Sequence, residues 1–206
     1  MPPSTGNQRD LAIRLLRKEG LVRLAEFQAL GVTAAAISRL QKEGAVVRLA
    51  RGLYQLPDAA LHVHQSFAEA AKLVPKGVIC LASALAFHGL TDHTPAKVWL
   101  AIGNKQWRPR IDYPPLRIAR FPDRLLASGV ETHRIEGASV RVFGVAKTIA
   151  DLFRYRRTVG DVMVIEGLRA ALRLRKASAA EIARYAHEGR VWKILEPYLT
   201  ALTSDA

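Results

Sequence analysis

Three short helical stretches, the second and third joined by a Gly-Val-Thr turn, run directly into a glycine-turned hairpin. No other feature constrains this chain more. Residues 8–18 place Leu11, Ala12, Leu15 and Leu16 at helical spacing, and Gly20 ends the run. Residues 23–30 set Leu24, Phe27 and Leu30 on one face. Gly31-Val32 then makes a tight turn, and Thr33 is a good N-cap for a third helix reaching Glu43. Gly44 stops that helix. Val46, Val47 and Leu49, then Leu53 and Leu56, flank Ala50-Arg51-Gly52, which reads as a short β-hairpin with glycine at its turn. Helix, helix, tight turn, helix, hairpin is the layout of a winged helix-turn-helix.

At 100° per residue the third helix separates into two faces. Thr33, Ile37 and Leu40 cluster toward the core, while Ala35, Ser38, Arg39 and Lys42 point away. A helix entering the major groove needs small residues where the backbone approaches base edges. It also needs Arg or Lys to bond guanine O6/N7 or phosphate. The wing adds Arg48 and Arg51 around a small turn, suited to phosphate or minor-groove contact. These six residues are the candidate DNA-reading set. Charge supports that reading: 31 Lys and Arg against 18 Asp and Glu leave +13, which favours a polyanionic partner.

Pro57-Asp58 is a turn signal after a hydrophobic run, so the expected division is 1–57, a DNA-binding domain, and 58–206. The first part carries nine cations and four acids, a net +5; the second carries 22 and 14, a net +8. In the second part, residues 65–74 and 81–88 read as helices. Residues 97–102, 115–120, 130–135 and 139–143 read as strands, with Gly137 marking a hairpin. Four helices follow over 145–155, 159–175, 178–187 and 190–202; Ser178 and Glu181 form a capping box. Strands followed by helices give a mixed α/β C-terminal domain, and the fold class expected for the whole chain is α+β.

The second domain lacks the constellations of catalysis. A nucleotidyltransferase needs a Gly-Ser or Gly-Gly turn for phosphates and two acids one residue apart for Mg²⁺. Neither dipeptide occurs, nor does any Asp-x-Asp, Asp-x-Glu or Glu-x-Asp. No lysine has an acid two positions earlier, as a metal-dependent nuclease commonly requires. The pair His62 and His64 lacks a third ligand at useful spacing, so no metal and no cofactor is expected. His88 reads as a hydrogen-bonded core histidine and Cys80 as a small buried hydrophobe. Lys147 and Asp151 share a helix face and read as a surface or domain-packing ion pair.

A single cysteine excludes an intramolecular disulfide and suits a reducing compartment. The polar N-terminus does not read as a signal peptide, and the most apolar segment, 78–90, is too short to span a bilayer. The expectation is a cytoplasmic protein with no membrane partner.

Two basic stretches remain. Residues 105–124 hold six cations, among them Lys105, Arg108 and Arg110, against two acids, interleaved with Trp107, Tyr113 and Phe121. Residues 154–176 hold seven, among them Arg154, Arg156 and Arg157, again against two acids. Cations beside aromatics suit phosphates and stacked bases, or else solvated arginines around core rings. Both stretches are candidates for an acidic partner or a nucleic acid.

The segments VVRLARGLYQLPDA, ICLASALAFHGLT, KVWLAI, VFGVAKTIADLFRYR, RKASAAEIARYA and EPYLTAL follow in this order. With them the chain resembles, over about residues 10–202, the AbiEi antitoxins of type IV toxin–antitoxin systems, first known in phage abortive infection. The resemblance implies a winged helix that binds inverted repeats in double-stranded DNA upstream of its own operon and represses it. It also implies a C-terminal domain linked to antitoxicity. The implied toxin, AbiEii, is a nucleotidyltransferase that such antitoxins typically oppose without a stable complex. No catalytic residue carries over, and the chain is expected not to be an enzyme. The alternatives are a stand-alone regulator whose second domain senses a ligand, and an RNA-binding protein.

Overall fold

The computed structural model describes residues 5–59 and 64–204. Its elements run α1 (Thr5–Glu19), β1 (Val22–Arg23), α2 (Leu24–Ala29), α3 (Ala34–Lys42), β2 (Val47–Ala50), β3 (Leu53–Gln55) and α4 (Gln65–Leu73). Then come β4 (Val78–Ile79), α5 (Leu81–Phe87), β5 (Val98–Gly103), β6 (Leu116–Phe121), α6 (Asp123–Ala127), β7 (Val130–Ile135) and β8 (Ala138–Phe143). The last helices are α7 (Val145–Arg154), α8 (Arg156–Val159), α9 (Asp161–Arg173), α10 (Ala179–Glu188) and α11 (Trp192–Ser204). This is an α+β chain whose N-terminal part is a winged helix-turn-helix. Among the described residues no helix is long and apolar enough to cross a membrane.

The chain divides into two compact units. Unit 1 comprises residues 1–76, 109–116 and 133–140, and unit 2 the rest. The Pro57-Asp58 turn therefore falls inside unit 1, with α4 beyond it.

Unit 1 is built on one apolar cluster. Ala12 and Leu16 of α1, Phe27 of α2, Ala36, Ile37 and Leu40 of α3, and Tyr54 of β3 are all buried in it. Phe27 and Tyr54 meet edge to face, their ring centroids 6.0 Å apart. The strands form an antiparallel sheet in the order β1-β3-β2, with Val22 opposite Tyr54 and Val47 opposite Gln55. The register shifts between Arg48 and Ala50, a bulge that twists the wing just before its turn. Residue 137 must be glycine: it has φ +68°, and a Cβ there would lie 2.0 Å from the Glu19 carbonyl oxygen.

A second sheet has five strands in the order β6-β5-β4-β8-β7. β4 is antiparallel to β5 and parallel to β8, so the sheet is mixed. The two-residue β4 sits at its centre, inside the segment whose apolar run suggested only a helix. α7 packs against α5, α9, α10 and α11. Every residue from Ala146 to Phe153 is buried, so α7 has no solvent face. Lys147 and Asp151 are each 2% exposed and bond to one another. The expected surface or domain-packing pair is thus a buried one, because α7 is packed between neighbouring helices and the strand rings of Phe121 and Phe143. Nζ of Lys147 also lies 4.5 Å from the Phe143 ring centroid and 5.1 Å from that of Phe121. Gly129, at φ +64°, lets the chain pass beside this lysine: a Cβ there would stand 2.8 Å from Lys147 Cβ.

Candidate nucleic-acid interface

α3 is fixed at its start by two polar contacts. Thr33 has an extended backbone, φ −76° and ψ 154°, and its hydroxyl accepts from the Ala36 amide at 3.2 Å. The same residue donates from its amide and its hydroxyl to Gln8 Oε1, each at 3.1 Å. Gln8 is only 8% exposed, so α1 reaches across to hold the turn that launches α3. Thr33 was expected on the core face but is exposed. An N-cap lies outside the helical rotation, so the 100° rule does not place it. Thr33→Ala removes the cap and leaves Gln8 Oε1 without its donor hydroxyl. It is expected to lower stability by about 1–2 kcal/mol, measured by urea unfolding of the full chain.

The remaining faces of α3 fall as its spacing suggests. Ala36, Ile37 and Leu40 are buried, and Ala35, Ser38, Arg39 and Lys42 are exposed. Arg48 and Arg51 are exposed on the wing. Nε of Arg48 donates to the Ala50 carbonyl at 3.2 Å, which holds this guanidinium beside the turn. Arg9 pairs with Glu43 at 2.5 Å at the far end of α3, drawing that acid's charge away from the helix face. The exposed surface of α3 and the wing is thus small near the helix start and cationic further on.

The second set of candidate residues is spread over several segments. Lys105 and Arg108 are exposed on the loop after β5, and Arg110 is exposed further along it. Arg154 ends α7 and donates to the Gly189 carbonyl at 3.2 Å. Arg156 is half-buried and Arg157 exposed in α8. The three aromatics of the first basic stretch separate: Phe121 is fully buried, Tyr113 half exposed, and Trp107 94% exposed. Phe121 is a core ring, which the sequence left open.

Other polar groups are structural. His88 Nε2 donates to the Phe143 carbonyl at 2.8 Å, and Cys80 is buried, where desolvation pushes its thiol well up. His62 lies outside the described residues, and among those described no group of three His, Cys, Asp or Glu could hold a metal ion. Gln8 was missed by sequence reading, because its partner is 25 residues away and its own position marks only a helix start.

Residues 10–57 match the family described as "Transcriptional regulator, AbiEi antitoxin". That stretch is similar to the family's DNA-binding regulators. The matched AbiEi stretch begins within α1, contains the whole of α3 and the wing, and ends two residues after β3. For the fold as a whole there is a second finding, a structure titled "Crystal structure of RV2827C protein from Mycobacterium tuberculosis". It superposes with a TM-score of 0.63 at 12% identity, covering 96% of this chain and 81% of that one. No curated protein matches the chain by sequence.

Proposed function

We propose that this chain is a DNA-binding antitoxin that represses its own operon. Ala35, Ser38, Arg39 and Lys42 enter the major groove of operator inverted repeats, and Arg48 and Arg51 contact the flanking backbone. The observation that carries this reading is the exposure of all six side chains on the capped helix and wing of an AbiEi-type domain. Residues 1–57 are the DNA-reading part and 58–206 the antitoxin-type part. The latter opposes a nucleotidyltransferase toxin in the cytoplasm without a stable complex. The reading assigns no catalysis to the chain.

Co-expression with the toxin from a foreign promoter tests the division, because it removes repression as a route to protection. The full chain and its Arg39→Ala/Arg48→Ala/Arg51→Ala variant are expected to restore growth equally. The Arg154→Ala/Arg156→Ala/Arg157→Ala variant is expected to lose most of the rescue. Rescue that disappears with the wing and helix arginines instead would overturn the division of roles.

A second reading, a ligand-sensing regulator, is favoured by one observation in unit 2. A cavity of about 500 Å³ has Leu172, Ala177 and Leu202 in its lining and Arg169, Arg173 and Arg175 around it. Gene neighbourhood separates the two: a nucleotidyltransferase gene downstream decides for the antitoxin.

A further inference from the structure

Trp107 is the most exposed large apolar side chain among the described residues, at 94%. An indole left in water forgoes the largest hydrophobic gain any side chain offers. The same unit shows the ordinary outcome at Trp99, which is 6% exposed and roofed by the Arg117 guanidinium 4.2 Å from its ring.

The exposure of Trp107 does not come from a loose loop. The Arg120 side chain staples the turn before it: Nη1 donates to the carbonyls of Gly103 at 3.1 Å, Asn104 at 2.7 Å and Gln106 at 2.9 Å. Gln106 Oε1 accepts from the Gly103 amide at 3.0 Å, and the Gln106 amide donates back to the Gly103 carbonyl at 3.1 Å. The Asn104 amide donates to the Phe121 carbonyl at 3.1 Å, which ties the turn to β6. Arg120 is itself held, since its carbonyl accepts from the Tyr155 hydroxyl at 2.5 Å. Two hydrogen bonds within the turn and four to β6 therefore fix Gly103, Asn104 and Gln106 ahead of the indole.

The charge along this segment has one sign. Residues 104–110 read NKQWRPR, three cations and no acid, and Lys105 and Arg108 are exposed on either side of Trp107. An exposed aromatic face between cations, carried on a hydrogen-bonded turn, is the chemistry of a strand with free bases: a base stacks on the ring and the cations neutralise phosphates. Bases of a duplex already stack on one another, so this face suits an unpaired strand. An acidic polypeptide would use the cations and leave the indole without a role.

We propose that Trp107 is the stacking platform of a single-stranded nucleic-acid site in unit 2, with Lys105 and Arg108 binding the adjoining phosphates. The site is separate from the helix and wing of unit 1 and does not depend on their reading.

The full chain should be titrated with labelled oligothymidylate and oligouridylate, with polyphosphate and polyglutamate as charge controls and duplex DNA in parallel. Trp107→Ala is expected to weaken binding to an unpaired oligonucleotide about tenfold. Trp107→Tyr should keep most of the affinity. Binding to polyphosphate, polyglutamate and duplex DNA should be the same in all three proteins. A residue this exposed supports no packing, so folding is not at issue. A response to oligouridylate alone assigns the site to RNA, and to oligothymidylate alone to DNA; either supports the proposal. It is overturned if Trp107→Ala binds unpaired strands like the parent, if the parent binds neither oligonucleotide, or if polyglutamate or duplex binding falls in parallel.

Discussion

Lys147→Met is expected to lower the stability of the chain by about 3–5 kcal/mol well above pH 6, and by clearly less below it. The substitution keeps the length and removes the charge, so Asp151 is left without its partner at 2% exposure. Burial already pushes the Asp151 carboxyl from 3.8 up to about 6, against the downward pull of Lys147 and, more weakly, Arg154. Losing the lysine moves it higher still. The sign follows from proton binding. Between the unfolded value and the raised folded value the native state holds the extra proton, so stability falls as pH rises through that window. Below it, Asp151 is neutral in both states and the variant has no stranded anion. Urea unfolding on both sides of about pH 6 reads the difference. Lys147→Met/Asp151→Leu should recover most of the loss at high pH, because an apolar pair of similar volume replaces the ion pair. A single variant that costs under about 1 kcal/mol at high pH, or the same at both, would show that the pair is dispensable.

That pair also marks where sequence reading stops. The i, i+4 spacing of Lys147 and Asp151 put them on one helix face, and the structure joins them. Spacing cannot say that α5, α9, α10 and α11 surround that helix, so burial was invisible. Local signals fared better. The Thr33 cap, the Ser178–Glu181 capping box and the wing glycine depend on neighbours a few residues away, and all were legible. β4 was not, since two residues carry no alternation and their strand character comes from β5 and β8 on either side. α8 was not legible either: the expected helices end at 155 and resume at 159, while Gly160, φ +93°, starts the second only at Asp161 and leaves a four-residue helix before it. Helix rotation sufficed for the exposure of Ala35, Ser38, Arg39 and Lys42. What it could not supply was Gln8, or the Arg120 staple on the turn ahead of Trp107, because both are long-range polar contacts.

The DNA-reading face makes the other large prediction, and it divides by residue. Arg39 lies near the middle of α3, on the exposed face, where a guanidinium meets base edges when the start of the helix enters the groove. Arg39→Ala should therefore cost about 1–3 kcal/mol on the operator and little on scrambled duplex, so the specificity ratio falls. Arg48 is pinned beside the wing turn by the Ala50 carbonyl, and Arg51 sits in the turn. A cation fixed at a wing meets the phosphate backbone, which is the same for every sequence. Arg48→Ala and Arg51→Ala should weaken operator and scrambled DNA alike, and each should reduce the slope of log affinity against log salt by about one. The triple variant should then bind operator more weakly than any single one, with little preference and a shallower slope. All six residues are exposed, so the substitutions should leave the unfolding transition in place. The measurement is anisotropy at several salt concentrations with both duplexes. Equal losses for Arg39→Ala on both duplexes would move it to the phosphate class. Unchanged binding in all three single variants would remove the helix and wing as the DNA-reading surface.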